Sequence, residues 1–429
     1  MYYSRVSTLG SFYLGTVTQL TLTQNSNEKD WEAESAKMAD VYQNALLTIA
    51  ATGSKNASGG CFTKFVHLEM KGIHVDGRPY TALCTRAVFH WGPTRNVREE
   101  NIFFPLLSRG WVYQERLLSP RMLHFGQQEL IWECMEQSDC QCEALRKVDR
   151  PFSKMGFTMD EDLQLTDKQR GQIWRRKVND YSKLSLTFSS DRFPAMAGLA
   201  RQESLRRKEA TYLAGLWSDT LICDLMWFTS TKKVLTSHQR APSWSWAAIE
   251  GTVFYFDIPE IGLKKGGEFI EARCHIVNTT CRSKNDQSFL GPYTGEVTLF
   301  SRIRPVSVLD NGLSEPTLTC KVNGRDIYIN HMFFLPPGNH YVLDAEAEVD
   351  ALSNEPAGVV LVELAIIEAD WEWAEGMIPS RSRQQYAISL LLKQESLNEG
   401  VLKRIGLLAW DVDECDLFGE QNKHTITII

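Results

Sequence analysis

The sequence predicts an α/β domain up to about residue 145, a helical connection over 146–240 and an α+β, β-rich region over 241–429. Three observations predict it. Strand, helix and strand signals alternate between Leu46 and Cys134. A strongly helical run precedes them at Asp30–Asn44. After Ala241, short strands punctuated by Gly, Pro and Asn dominate to the last residue. A chain of 429 residues has room for two or three domains, each with its own core.

The first helix lies in the run DWEAESAKMADVYQNALLTIAATG. Ala, Glu, Lys and Met dominate it, Asp30 can serve as N-cap, and neither Gly nor Pro interrupts it before Asn44. At about 100° per residue, Trp31, Ser35, Met38, Val41, Tyr42 and Ala45 form an apolar stripe. Glu32, Lys37 and Asp40 fall on the opposite face, but Glu34 falls inside the stripe. A carboxylate there is costly unless paired, hydrogen-bonded or kept for chemistry. Two readings stay open: a rim carboxylate that reaches water or an Arg, or an acid/base or ribose-binding group in a cleft.

LLTIAATG, Leu46–Gly53, reads as a strand ending in a polar loop, and the Asp76-Gly77 pair signals a hairpin. The stretch Pro105–Cys134 predicts a helix over Gly110–Leu118, a strand at Met122–Phe125, a turn GQQ and a strand at Glu129–Cys134. The charged stretch Glu143–Arg170 marks a linker. A helix follows Pro194, and Thr211–Phe228 reads as a second long apolar helix. In APSWSWA, Trp244 and Trp246 are expected on one face of a strand, as packing residues.

Net charge is −7 without a basic run, which argues against nucleic-acid binding. WRRK, Trp174–Lys177, is expected to be a solvated helix face. No segment has the run of about 18 apolar residues that spans a bilayer, and the N-terminus makes a poor signal peptide. Ten scattered cysteines suit a reducing compartment, so the cytoplasm is expected. Cys134, Cys140 and Cys142 lie downstream of His124 without CxxC spacing, and no metal site is expected. His124 reads as a satisfied core histidine. Arg109, Trp111, Gln114, Glu115, Arg116 and Arg121 could line a phosphate pocket or form a buried network, with Glu115 and Arg116 paired to helix ends or to each other. There is no G-x-S-x-G or H-E-x-x-H signature of a conventional hydrolase.

Two of these stretches resemble the heterokaryon-incompatibility (HET) domain of filamentous fungi. DWEAESAKMADVYQNALLTIAAT resembles its Asp-Trp, spaced Glu, Met and Val-Tyr block, carried here by Trp31, Glu34, Met38 and Tyr42. LSRGWVYQERLLSPRMLHFGQQELIWEC resembles its Arg-Gly-Trp, Gln-Glu-Arg and Ser-Pro-Arg block, here Arg109, Gly110, Trp111, Gln114, Glu115, Arg116, Ser119 and Arg121, with Trp132 and Glu133 in the closing strand. FPAMAGLA, YLAGLW, APSWSWA and RIGLLAW resemble segments downstream of the domain in long family members.

The family's opening Ser-Tyr-Cys-Trp-Gly strand is not found, so residues 1–23 read as an atypical segment before a partial domain over 24–145. The resemblance implies an incomplete TIR-like or flavodoxin-like α/β fold and a role in self/nonself recognition and programmed cell death, with protein partners and homo-oligomerisation. More remotely, TIR-like domains imply NAD as substrate, with Glu34 as the catalytic carboxylate of an NAD glycohydrolase. The other reading is a non-catalytic interaction protein.

Overall fold

The computed structural model describes residues 14–16, 37–62, 68–84, 90, 102–143, 145, 154, 165–229, 240–258, 267–284, 289–309, 317–331, 340–344, 358–369, 384–394, 401–413, 416–419 and 423–429. The chain forms two units, and each has its own internal packing. The first takes Met1–Gln164 with Leu184–Leu186 and Ala195–Leu199; the second takes the remainder. The border after Gln164 falls inside the charged stretch Glu143–Arg170.

The first unit is mixed α/β. Its five-stranded sheet has the order β1 (Leu14–Thr16), β2 (Leu47–Ala50), β5 (Arg121–Phe125), β6 (Leu130–Cys134) and β7 (Ser138–Cys140). The first three strands are parallel, and β6 and β7 add antiparallel. A separate hairpin of β3 (Leu68–Ile73) and β4 (Pro79–Cys84) turns through Asp76-Gly77, where Gly77 has φ +82°. The helix over 37–43 leads through a turn at residues 44–46 into β2. Its inward residues are Ala39, Tyr42 and Ala45, whereas Val41 is 41% exposed. The buried face is therefore rotated from the sequence phase, with Ala39 set close against Gly198, where an added Cβ would lie 2.7 Å from the Ala39 Cβ. The helix Gly110–Leu118 and strands β5 and β6 form where the sequence places them.

The second unit combines the helix Asp167–Ser182 and the part of the helix Pro194–Arg206 from Ala200 onward with a large β array. Thr166 and Gln169 close a capping box at the start of the first helix. Five strands pair in a closed ring: Tyr293–Pro305, Val359–Ala369, Gln384–Gln394, Val401–Asp411 and Lys423–Ile428. Buried apolar side chains such as Leu361, Leu391, Ile405 and Leu408 fill their packed faces.

Two expectations fail here for identifiable reasons. Thr211–Phe228 is not a long helix. It is a hairpin of Tyr212–Leu213 and Leu216–Trp217, then a short helix Leu221–Asp224 and a strand Trp227–Thr229. Ala214 at φ +44° and Gly215 at φ +98° break any helix there, and the Gly215 carbonyl accepts from the indoles of both Trp174 (2.8 Å) and Trp246 (3.0 Å). Trp244 and Trp246 are fully buried, as a packing role requires, but Trp246 begins the 3-10 turn Trp246–Ala248 and not a strand.

WRRK is not solvated either. Trp174, Arg175 and Lys177 are all buried. Arg175 bridges Asp224 (2.6 Å) and Asp257 (2.5 Å), and Lys177 meets Glu203 at 3.5 Å. Buried partners elsewhere in the unit turn a charge-rich helix face inward, which helical phase alone does not reveal.

A Cβ on Gly215 would lie 2.5 Å from Trp246 Nε1. Gly215→Ala should therefore destabilise the protein by about 2–4 kcal/mol through a strained φ and a displaced indole. Denaturant unfolding followed by tryptophan fluorescence measures it.

Candidate functional site

The helix Gly110–Leu118 carries most of the motif residues and lays two carboxylate sites against the sheet. Arg109 is its N-cap, and the Gly110 N–H donates to the Ser185 carbonyl at 2.8 Å. Ser119 caps the other end: its hydroxyl donates to the Glu115 carbonyl (2.7 Å), so the Thr48 hydroxyl on β2 donates to Ser119 (2.8 Å). Helix and strand are thus joined by polar groups that are fully buried.

The first carboxylate is Glu133 on β6. Arg116 Nε and Nη2 grip its two oxygens at 2.7 Å each, and His124 Nε2 on β5 lies 3.4 Å from Oε2. Burial alone would raise the Glu133 carboxyl, but Arg116 and His124 outweigh it and hold it well below the usual range. Burial lowers the His124 pKa, so the ring is neutral at neutral pH. With Nε2–H facing the carboxylate, Nδ1 accepts from the Thr52 hydroxyl at 2.8 Å. Lys154, deeply buried nearby, is pushed down to about 8 by burial, with Glu133 opposing.

The second carboxylate, Glu115, points elsewhere. Burial pushes it up to about 7, while a hydrogen bond from Tyr42 and the charge of Arg109 oppose the rise. Its Oε2 has no hydrogen-bond partner among the described residues. Glu115 and Arg116 are neighbours in sequence but not an ion pair. Helical phase sends one toward Tyr42 and the other toward β6. Gln114 is buried beside them, and its Oε1 accepts from the Gly198 N–H at 2.7 Å.

Two carboxylates driven in opposite directions are the usual ingredients of acid and base chemistry. Thr52, His124 and Glu133 also form a hydroxyl–imidazole–carboxylate line. Thr52 and His124 are both 0% exposed, however, which closes that line to a substrate. What the arrangement does in this form is fix the helix to β2, β5 and β6.

Of the other motif residues, Met38, Trp111 and Trp132 are half-buried and Tyr42 is buried. Arg121 is exposed at the head of β5, apart from the Arg116–Glu133 pair. Trp31, Glu32 and Glu34 lie outside the described residues. Sequence reasoning missed Thr48, Thr52 and Lys154. Thr48 and Thr52 sit in the strand run, where a hydroxyl signals nothing by itself, and Lys154 lies in a stretch read as linker. His124, which precedes the cysteines in sequence, does not lie in their cluster. His124 serves Glu133, while Cys140 and Cys142 meet His90 and Glu129. In the second unit a cleft of about 290 Å³ is lined by Lys168, Arg175, Cys223 and Asp257. Burial pushes the Cys223 thiol up to about 11, so it is no ready nucleophile.

A mixed α/β unit with a buried arginine–carboxylate–histidine network, joined to a β-rich unit, is the class these features define. Residues 8–115 match the family model described as heterokaryon incompatibility protein (HET), and this part of the chain is similar to a heterokaryon-incompatibility domain. The match begins ahead of β1 and ends on Glu115, inside the helix Gly110–Leu118. No curated protein and no solved structure matches the chain.

Removing Arg116 leaves Glu133 charged and buried. Arg116→Ala should cost about 3–5 kcal/mol, and the double change Arg116→Met with Glu133→Leu should recover most of it. Thermal unfolding of the single and double variants checks this.

For Glu115, the folded carboxyl titrates near 7 against an ordinary 4.5. The folded state holds that proton more tightly, so the stability it contributes is full below 4.5 and lost as pH rises through about 7. The loss is on the order of 3 kcal/mol. Glu115→Gln should flatten this dependence, leaving the variant more stable than the parent at about pH 8 and similar at about pH 4. Unfolding free energies across that range measure it.

Proposed function

We propose that this chain is a cytoplasmic heterokaryon-incompatibility protein of fungal self/nonself recognition, whose first unit triggers programmed cell death when a partner protein releases it. The observation that carries the reading is the domain match over residues 8–115, which takes in both the DWEAES run and the residues Tyr42, Arg109 and Glu115. The parallel strands β1, β2 and β5 suit a TIR-like α/β core, and NAD is the substrate such a core would take. In this reading Glu34 stabilises the oxocarbenium character that develops as nicotinamide leaves the ribose.

A second reading, an interaction protein without catalysis, is favoured by the β3–β4 hairpin. Leu68, Met70, Ile73 and Val75 are all more than half exposed on it. Apolar side chains concentrated on one small hairpin mark an association surface, and a second copy of the chain is the occupant this reading takes.

Expression of the full chain in a filamentous fungus, with nicotinamide release measured on the purified protein, separates the two. The catalytic reading expects Glu34→Gln to abolish nicotinamide release and cell death with folding intact, and the matched control Glu32→Gln to change neither. Killing that persists at full strength in Glu34→Gln removes the catalytic role. Self-association lost on Met70→Lys would then support the second reading.

A further inference from the structure

The helix–sheet network leaves one chemistry-rich cluster of the first unit unused. His90, Glu129, Cys140 and Cys142 bring one imidazole nitrogen, one carboxylate oxygen and two sulfurs within 4.8 Å of one another. They come from three places in the chain: His90 beyond β4, Glu129 at the start of β6, and Cys140 and Cys142 at the end of β7. We propose that these four side chains form a structural zinc site.

The distances suit one ion at their centre. With Zn–S near 2.3 Å and Zn–N or Zn–O near 2.0–2.1 Å, the ligand atoms of a tetrahedral site sit about 3.3–3.8 Å apart. Cys140 Sγ to Cys142 Sγ is 3.4 Å, Cys142 Sγ to His90 Nε2 is 3.3 Å, and Cys142 Sγ to Glu129 Oε1 is 3.7 Å. His90 Nε2 and Glu129 Oε1 are closer, at 2.6 Å, in a direct hydrogen-bonding contact. Binding requires that contact to open to about 3.3 Å, as the His90 lone pair turns to the metal.

The surroundings are built for it. The Cys142 N–H donates to Glu129 Oε2 at 2.9 Å, which fixes the carboxylate and leaves Oε1 aimed at the cluster. The Leu145 N–H donates to Cys140 Sγ at 3.4 Å, a contact that favours a thiolate. A tight turn presents both sulfurs on one side: Glu143 takes φ +60°, and its N–H donates to the Cys140 carbonyl at 2.9 Å. Pairing of Cys140 with Ile131 on β6 locks the turn to the sheet.

The donor set selects the metal class. Two thiolates and an imidazole suit Zn²⁺ and disfavour Ca²⁺ or Mg²⁺, which take oxygen ligands. Four protein ligands fill a tetrahedral shell and leave no open position for a water, so the role is structural. On binding, the Cys140 and Cys142 thiols each lose a proton to solvent, the proton shared by His90 Nε2 and Glu129 Oε1 leaves to solvent or to Nδ1 so that His90 binds neutral, and no redox change occurs. The ion would cross-link positions 52 residues apart and hold His90 against β7.

The test uses the full chain purified under reducing conditions with zinc supplied, dialysed, and assayed for metal. About one zinc per chain is expected, and Cys140→Ser and Cys142→Ser should each reduce it at least tenfold while the control Cys61→Ser retains it. Cobalt added to chelator-stripped protein should give thiolate-to-cobalt charge-transfer absorption, lowered by roughly half in either serine variant. If the serine variants fail to fold, thiol labelling of the parent decides the matter. Cys140 and Cys142 should be protected until a chelator is added. Zinc at background level, a cobalt spectrum without thiolate bands, or protection relieved only by a reductant (a Cys140–Cys142 disulfide) overturns the proposal.

Discussion

Glu133 is a carboxylate with 1% of its surface in contact with solvent, held charged inside the first unit. A charge in that position must be met by a cation within hydrogen-bonding distance, and Arg116 meets it with both arms of its guanidinium. This requirement orders much else. Arg116 can reach β6 only if the helix Gly110–Leu118 lies across the sheet at one rotation. That rotation sends Glu115 and Gln114 to the other side, toward Tyr42 and Gly198. It also places Ser119 over Thr48. His124 completes the set, since β5 lies between β2 and β6 and its imidazole reaches Thr52 on one side and Glu133 on the other. Replacing the ion pair with apolar residues need not weaken such a fold. What the pair supplies is a single allowed register of helix against sheet.

The second unit solves a similar problem differently. Its buried charges are distributed among separate partners: Arg175 with Asp224 and Asp257, Arg207 with Glu203 and Asp219, Arg404 with Asp344. Arg404 also lies 3.5 Å from the ring centroid of Trp227 and donates to the Leu225 and Trp227 carbonyls. Arginine suits these places because its planar fork satisfies a carboxylate, a carbonyl and an aromatic face at once. Four tryptophans serve the same economy: Trp174, Trp227, Trp244 and Trp246 are buried with their N–H groups directed at backbone carbonyls, whereas the buried Trp217 Nε1 has no such partner among the described residues.

Legibility in the sequence followed the range of the forces involved. The helix Gly110–Leu118 and strands β5 and β6 could be read because periodicity and the Gly126 turn are local signals. So could the Asp76-Gly77 hairpin. The helix expected at Thr211–Phe228 failed because Ala214 and Gly215 adopt left-handed backbone angles to reach Trp174 and Trp246. Those partners lie 41 and 31 residues from Gly215. At the site, Glu115 and Arg116 were legible as members of a polar network, but their pairing was not, and Glu133 was legible only as part of the closing strand. Adjacent residues on a helix point about 100° apart, so Glu115 and Arg116 serve different partners. His90 gave no signal, because only tertiary folding carries it to Glu129 and the cysteines.

The closed ring of strands in the second unit has a consequence for how the chain is made. Its first stave is Tyr293–Pro305, and its last is Lys423–Ile428, which bridges that first stave and Val401–Asp411. On the ribosome, with residues added at roughly 5–20 per second, the ring stays an open curl until the final stave has left the exit tunnel. Until then the inner faces of Val359–Ala369 and Gln384–Gln394, lined with Leu and Ile, lack their enclosure. Nascent chains in that state are natural clients for cellular chaperones. The first unit, whose described strands end at Cys140, waits only for Leu184–Leu186 and Ala195–Leu199.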